Sequence, residues 1–303
     1  MTTFERIKLE HLTKKEKQIY KKMLSPGIEH PAIDPKFLDP EESQIAIGAF
    51  IKKKPIGLLI GKPMGDKVWE IASLFVDPEY RRRKIGTHLM GEFEKEIKHK
   101  KISSLIFNYP NRLIPEIDPF LNSLGWGGRH AFAVECFFQD VRDFHPPWFD
   151  RVYKEKNKDF EFFPWQKLPL EEKQKLLEKE QSGRFPSYYN PFQRKDFDPN
   201  TSFGLRYKGE LAGWCITQEF EPKFLDFFCL YSNYDLQTKG IPIQLLIHSI
   251  KAAQNTPFSA RFFINFKQVS MRWIRTVAKR LAPYATRVTL YHQAWKSLVK
   301  KIE

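Results

Sequence analysis

Hydrophobic and polar positions follow a regular order along the first half of the chain. Alternating or short continuous apolar runs predict strands near 4–9, 44–51, 55–62, 68–76, 103–109 and 130–139. Apolar residues at helical spacing predict helices near 13–23, 85–99 and 117–124. A proline-rich loop fills 25–43. Strands followed by a strand–helix–strand unit are typical of an α+β (α/β) fold with a mixed sheet.

The same order of patterns recurs in the second half of the chain. A shift of 156 positions aligns the two halves without gaps and pairs identical residues, such as Gly48 with Gly204 and Gly57 with Gly213. Self-similarity at one fixed offset indicates repeated structural units. We interpret it as a duplication, with domains at 1–145 and 159–303 and a linker at about 142–158. The pattern also predicts an extra helix at 293–301.

The segment 76–90 carries the strongest chemical signal in the sequence. An apolar strand runs into a turn of four basic residues, 81–84, and an amphipathic helix begins directly after it. Amide groups at a helix start have no partner within the helix, and together with the helix dipole they favour an anion. The turn therefore predicts a phosphate or pyrophosphate ligand.

This segment resembles the acyl-CoA signature of the GNAT acetyltransferase superfamily, Arg/Gln-x-x-Gly-x-Gly/Ala, which residues 81–86 match except at Lys84. Val76, Pro78 and Tyr80 before the turn also fit. The resemblance implies two tandem GNAT-like domains, each a mixed, mostly antiparallel sheet flanked by helices. It also implies acetyl-CoA as the co-substrate. No metal is expected, because the cysteines and histidines have no metal-ligand spacing. In the second copy the matching positions, 237–242, lack the basic run and end in Pro242, which has no amide N–H to donate. Acetyl-CoA is therefore expected in the first copy.

By the same resemblance, the strand before the turn separates from its parallel neighbour and pairs with the pantetheine arm of the ligand. A backbone N–H there would stabilise the oxyanion of the transition state. The residues that this resemblance assigns to acetyl-CoA binding are Leu74, Phe75, Val76, Arg81, Arg82, Arg83, Lys84, Ile85, Gly86 and Thr87.

Acetyl transfer to an amine needs a general base, because an ammonium with a pKa near ~10.4 does not attack a thioester. Glu70 lies eleven positions before Arg81. The histone acetyltransferase branch of the superfamily has a catalytic glutamate at this separation, so the resemblance makes Glu70 the candidate base. Many members use a tyrosine as general acid where this chain has Leu121, and Tyr109 is the candidate substitute. A solvent-facing carboxylate and a core aromatic are the alternative interpretations of Glu70 and Tyr109.

The length and composition of the chain are those of a folded protein without membrane-spanning segments. The chain has 303 residues, 42% of them hydrophobic, which suits two folded domains. The sequence has neither a signal-peptide pattern nor an apolar run near the ~20 residues of a membrane helix. Its three cysteines cannot all pair in disulfides and have no metal-ligand spacing, so a reducing, cytoplasmic location is expected. Residues 1–150 hold 24 basic and 21 acidic residues, and residues 151–303 hold 26 and 15.

These features predict a cytoplasmic enzyme that transfers acetyl directly from acetyl-CoA to a primary amine on a protein lysine, a protein N-terminus or a small molecule. Two alternatives stay open. Altered signatures in both copies also suit a non-catalytic acyl-CoA-binding protein. The basic second half, with its arginine-rich helix near 268–281, suits a nucleic-acid-associated protein. The aromatic segment 182–192 is a further candidate for substrate recognition.

Overall fold

The computed structural model describes residues 1–24, 44–154, 158–183, 185–192, 196–221, 223–237 and 240–299. The proline-rich loop predicted at 25–43 lies outside these residues. The chain divides into two compact units. The first unit comprises Met1–Phe132 and Leu290–Glu303, and the second comprises Ala133–Thr289.

The first unit is a mixed sheet with helices on both faces. Its strands are β1 (Thr2–Ile7), β2 (Ile45–Ile51), β3 (Lys54–Pro63), β4 (Val68–Val76), β5 (Ser104–Pro110) and, from late in the chain, β12 (Arg287–Ser297). They lie in the order β1-β2-β3-β4-β5-β12, with β4 parallel to β5 and the other pairs antiparallel. The helices are α1 (Lys14–Met23), α2 (Ile85–Ile97) and α3 (Ile114–Ser123).

Alternation along the strands gives this sheet two buried faces. Ile47 packs in a core with Leu89 and Phe93 of α2. Its neighbour Ala46 packs on the other face with Tyr20 of α1. Burial of both faces explains why the central strands are apolar at nearly every position.

The second unit repeats this arrangement. Its strands are β6 (Gly127–Phe138, from Ala133 onward), β7 (Phe160–Pro164), β8 (Phe203–Tyr207), β9 (Glu210–Glu221), β10 (Phe224–Ser232) and β11 (Ser259–Asn265), in the order β6-β11-β10-β9-β8-β7. The pair β10–β11 is parallel. The helices are α4 (Phe149–Lys154), α5 (Leu170–Gln181), α6 (Tyr234–Gln237), α7 (Ile241–Ala253) and α8 (Met271–Arg280).

Matching elements of the two units begin 156 positions apart. Strand β4 begins at Val68 and β10 at Phe224, while α2 begins at Ile85 and α7 at Ile241. The tandem fold predicted from the repeat is confirmed. The compact units nevertheless differ from the domains predicted at 1–145 and 159–303, because β12 pairs with β5 in the first unit and β6 pairs with β11 in the second.

Two segments differ from their predicted structure. The predicted linker, 142–158, forms part of the second unit, where Phe144, Trp148 and Phe149 are buried in the core. The hydrophobic gain from these aromatic rings outweighs the loop signal of the adjacent prolines. The helix predicted at 293–301 is wrong, since β12 extends to Ser297. Backbone pairing of Tyr291–Ser297 with β5 overrides the local helical spacing.

Within the described ranges, the structure has no helix of the length and apolarity that crossing a membrane would require. The same residues contain no group of three His, Cys, Asp or Glu side chains arranged to hold a metal ion.

Candidate active site

Strands β4 and β5 run side by side for four residues and then part. Their parallel pairs join Val68–Ile71 with Ser104–Phe107. Beyond Ile71, β4 continues to Val76 alongside β3, after a shift of register at Ala72. The shift is a β-bulge, which re-aims the side chains that follow it. The separation of strands that the resemblance implied is therefore present in this structure.

The strands part beside a groove of about 650 Å³ in the first unit. Its other wall is α3, including Ile117 and Phe120. Arg83 is absent from the lining, and its guanidinium carbon lies 5.4 Å from the centroid of the Tyr80 ring. The other nine residues assigned to acetyl-CoA all line the groove: Leu74, Phe75, Val76, Arg81, Arg82, Lys84, Ile85, Gly86 and Thr87.

Helix α2 begins at this groove after two basic residues with left-handed backbone. Arg82 and Lys84 each have a φ of 61°, and the carbonyl of Lys84 accepts a bond of 3.0 Å from the His88 amide. Lys84 thus takes the conformation that a glycine would adopt at least cost. A Cβ atom at Gly86 would lie 3.3 Å from the Phe120 ring. Glycine at this position therefore keeps the space between α2 and α3 open.

Arg81 spans the mouth of the groove. Its Nε donates to the Val76 carbonyl at 3.1 Å, and its guanidinium lies 3.6 Å from the Glu116 carboxylate. Arg82 and Lys84 add positive charge along the lining. Basic side chains at a helix start form a site suited to a phosphate or pyrophosphate.

Glu70 lies outside the lining of this groove and on the sheet face opposite α2, since its neighbours Trp69 and Ile71 pack with α2. It is only 4% exposed. Asn108 Nδ2 donates to its Oε1 at 2.7 Å, and Lys62 Nζ lies 3.5 Å from its Oε2. These contacts hold the carboxylate in one orientation.

A third polar residue supports this arrangement. Gln293 of β12 donates to Asn108 Oδ1 at 3.0 Å, so polar side chains of β3, β4, β5 and β12 form one chain of contacts. Sequence reasoning missed Lys62, Asn108 and Gln293, because only the register of the sheet brings them to Glu70. Polar residues at inward strand positions were the available signal.

Tyr109 is fully buried, and its hydroxyl donates to Asp118 Oδ1 at 2.7 Å. Arg129 Nε lies 3.5 Å from the same carboxylate oxygen. Burial raises the pKa of Tyr109 well above its usual range, and the hydrogen bond to Asp118 raises it further. The phenol therefore keeps its proton, but it packs in the core and does not line the groove.

Asp226 of β10 holds the place that Glu70 has in β4, yet its surroundings differ. It is 2% exposed and forms two bonds with Arg261 of β11, Nε to Oδ1 at 3.1 Å and NH2 to Oδ2 at 3.3 Å. The carboxylate is therefore held at two points in a buried ion pair. An arginine within the apolar run 259–265 was the sequence signal for this pair.

The chain is similar to known acetyltransferases in part of its sequence and in its fold. Residues 9–112 match the model of the acetyltransferase (GNAT) family. No curated protein matches the chain in sequence. Among solved structures, it is similar to a tandem GNAT protein from the clavulanic acid biosynthesis pathway, at 13% identity and a TM-score of 0.70, with 98% of each chain covered.

Two further structures agree with this likeness. One is a GCN5-related glucosamine N-acetyltransferase region of a fungal multi-domain GH3 β-N-acetylglucosaminidase, with 12% identity, a TM-score of 0.66, and coverage of 98% of this chain and 38% of that chain. The other is a GCN5-related N-acetyltransferase from Sphaerobacter thermophilus, with 15% identity, a TM-score of 0.57, and coverage of 85% and 82%. At these identities the likeness establishes the fold.

Proposed function

We propose that this chain, a GNAT-superfamily protein with the tandem fold, is an N-acetyltransferase that moves an acetyl group from acetyl-CoA directly to a primary amine. The observation that carries the proposal is the groove of the first unit. There, parted parallel strands, a helix start and a basic turn meet. Each feature serves one part of an acyl-CoA molecule.

The lining of the groove fits acetyl-CoA in three ways. The stretch of β4 beyond Ile71 has left β5, so it can pair with an extended amide-containing chain such as pantetheine. Gly86 leaves room at the start of α2, and Arg82 and Lys84 supply charge for the pyrophosphate. Acetyl-CoA supplies the thioester carbonyl, and the protein supplies position and charge.

Glu70 is the general base of the proposed reaction. The carboxylate takes a proton from the acceptor ammonium, and the neutral amine then attacks the thioester carbonyl without an acyl-enzyme intermediate. Asn108 and Lys62 hold the carboxylate, and such orientation commonly makes a base effective. Tyr109 remains a candidate for the acid that protonates the leaving thiolate, although its bond to Asp118 favours a role in the core.

The first copy is the better candidate for catalysis. In the second copy Arg261 neutralises Asp226, and Pro242 removes an amide donor from the first turn of α7. The acceptor remains a primary amine of a protein lysine, a protein N-terminus or a small molecule, because nothing in the described groove selects among them.

The test compares wild type with Glu70→Gln on a panel of amines, namely lysine peptides, peptides with free N-termini, polyamines and amino sugars, with released thiol as the readout. The variant should lose about 10²- to 10⁴-fold in kcat and keep its affinity for acetyl-CoA. Glu79→Gln removes an exposed carboxylate near the same turn and serves as the control. Equal kcat in wild type and Glu70→Gln contradicts the role of Glu70. Acetyl-CoA binding with no acetylated amine favours a non-catalytic binding protein.

Nucleic-acid association is a second candidate function, favoured by one feature of the sequence. No Asp or Glu occurs between Leu236 and Ile302, a stretch that holds twelve Lys and Arg residues. Such a charge bias attracts polyanions. The measurement is RNA and DNA binding over a range of salt concentrations. A steep decrease of the association constant with salt supports this function.

A further inference from the structure

The second unit contains a groove of its own, of about 310 Å³. Strands β10 and β11 pair from Phe224–Phe227 with Ser259–Phe262 and then part, as β4 and β5 do. The groove lies beside the start of α7, and α8 forms the facing wall. It is about half as large as the groove of the first unit.

A buried hydroxyl faces this groove without a hydrogen-bond partner. Ser232, at the end of β10, is 2% exposed and lines the groove. Its Oγ bonds to no other atom of the described residues. Leaving a buried polar group unsatisfied is unfavourable, so such groups commonly have a function or a bound partner. Gln244, 8% exposed, adds an amide to the same lining.

The facing wall supplies cations. Arg272 and Arg280 of α8 both line the groove, and Arg280 lies over the Trp148 ring at 5.0 Å from its centroid. Trp273 lines the groove between them in sequence and gives the wall an aromatic surface. Arginine beside aromatic rings is a common means of binding planar carboxylates and phosphates.

The two copies carry their charges at different places around the groove. In the first unit, Arg81 of the turn pairs with Glu116 of α3. At the equivalent positions, 156 residues later, the second unit has Gln237 and Arg272. The carboxylate of the facing wall has become a guanidinium. An anion in the second groove would therefore be held from α8, whereas in the first it would be held from the turn.

We propose that the groove of the second unit binds a small organic anion, a carboxylate or phosphate monoester on an aromatic body, and does not bind acetyl-CoA. Arg272 and Arg280 would hold the anionic group, the Ser232 hydroxyl would donate to it, and Trp273 would cover the aromatic body. Three features distinguish this site from the acyl-CoA groove. They are Pro242 in the first turn of α7, the smaller volume, and the position of the positive charge on α8 instead of on the turn. The inference is independent of acetyl transfer by the first unit.

The experiment titrates the full chain by calorimetry with phenylacetate, phenyl phosphate, inorganic phosphate and the neutral phenylacetamide. The matched variants are Arg272→Gln/Arg280→Gln and Arg275→Gln/Lys279→Gln. Both remove two charges from α8, but Arg275 and Lys279 do not line the groove. Thermal unfolding confirms that each variant is folded.

We expect phenylacetate or phenyl phosphate to bind and phenylacetamide to bind at least 10-fold more weakly. The preference between the two anions identifies the anionic group. The Arg272/Arg280 variant should lose binding, and the Arg275/Lys279 variant should keep it. Ser232→Ala, a small change that leaves the arginines in place, should weaken binding about 10-fold.

Three results would overturn the proposal. The first is no binding of either aromatic anion at millimolar concentration. The second is an equal loss in both double variants, which indicates a general basic surface for polyanions. The third is acetyl-CoA binding that disappears in the Arg272/Arg280 variant but survives in Gly86→Trp, which makes this groove the acyl-CoA site.

Discussion

Asp226 and Arg261 form a buried two-point ion pair across the parallel strands β10 and β11, with N–O distances of 3.1 and 3.3 Å. Asp226 occupies the position that Glu70 holds in the first copy. Glu70 instead accepts from the neutral amide of Asn108, and its closest ion-pair contact, to Lys62, is 3.5 Å. Equivalent carboxylate positions of the two copies therefore differ: one forms a buried ion pair, and the other is a candidate base.

This difference predicts opposite effects of two similar substitutions. Asp226→Asn removes one charge of the buried pair with Arg261, so it should lower the free energy of unfolding by about 3–5 kcal/mol. Glu70→Gln keeps an oxygen that can accept from Asn108, so its loss of stability should be about 1 kcal/mol. Urea unfolding measures both values. Equal losses in the two variants would show that the pair has no special structural role.

A bulky side chain in place of Gly86 is expected to block the groove of the first unit. Because a Cβ atom there already lies 3.3 Å from Phe120, the ring of Gly86→Trp must fill the space between α2 and α3. Acetyl-CoA affinity should fall at least ~100-fold, as measured by calorimetry. Gly91→Trp is the matched control, since Gly91 lies on the same helix and, beyond that helix, no atom of the described residues lies within 4 Å of its Cβ position. Unchanged affinity in Gly86→Trp would place acetyl-CoA elsewhere.

Replacement of Lys84 by glycine is expected to increase the stability of the folded protein. Its φ of 61° lies in the left-handed region, which costs a non-glycine residue about 1–2 kcal/mol. Lys84→Gly should raise the free energy of unfolding by about 0.5–1 kcal/mol, after allowing for the entropy of glycine. Lys95→Gly, near the end of the same helix, should instead lower it by about 1 kcal/mol. Denaturant unfolding of both variants decides, and a stability loss in Lys84→Gly contradicts the prediction.

The same Lys84→Gly variant also tests the charge at the groove. It restores the glycine of the acyl-CoA signature and removes one cation from the lining. If Lys84 contacts the pyrophosphate, acetyl-CoA affinity should fall several-fold at low salt and the difference should shrink at high salt. Arg83→Ala is the control, because Arg83 is a neighbouring cation of the same turn that does not line the groove. A higher affinity in Lys84→Gly would show that the lysine side chain obstructs the ligand.

The local periodicity of the sequence predicted the features of the fold that depend on residues close together in the chain. It placed the strands and helices of the first half, and the resemblance to the GNAT superfamily led to nine lining residues of the groove. It did not separate Arg82 from Arg83, because a left-handed turn reverses side-chain directions that spacing alone cannot show. Nor did it bring Asn108 and Gln293 to Glu70, since those contacts depend on strand register across most of the chain.

The sequence also did not predict that β12 pairs with β5 and that β6 pairs with β11, for a related reason. Strand β12 has the apolar content of either a short helix or a strand, and only its partner β5 decides between them. The burial of the aromatic residues in the predicted linker was not predicted for the same reason. Their burial depends on a core assembled from distant segments.

The buried side chain of His248 is expected to make the folded protein less stable in acid. It stacks on Phe162 with ring centroids 4.0 Å apart, and burial lowers its pKa to about 4. A lowered pKa means that the folded state holds the neutral form. The associated stability is therefore present above the ordinary pKa of about 6.5 and is lost as the pH falls toward 4.

Between pH 7.5 and 4.5, His248 should account for a loss of about 2 kcal/mol in the free energy of unfolding. His248→Gln removes the titrating group, so its stability should change less over this range than that of wild type. His99→Gln, at an exposed position, should follow the wild-type curve. The measurement is urea unfolding at several pH values. Parallel curves for wild type and His248→Gln would show that the pKa of His248 does not differ between the folded and unfolded states.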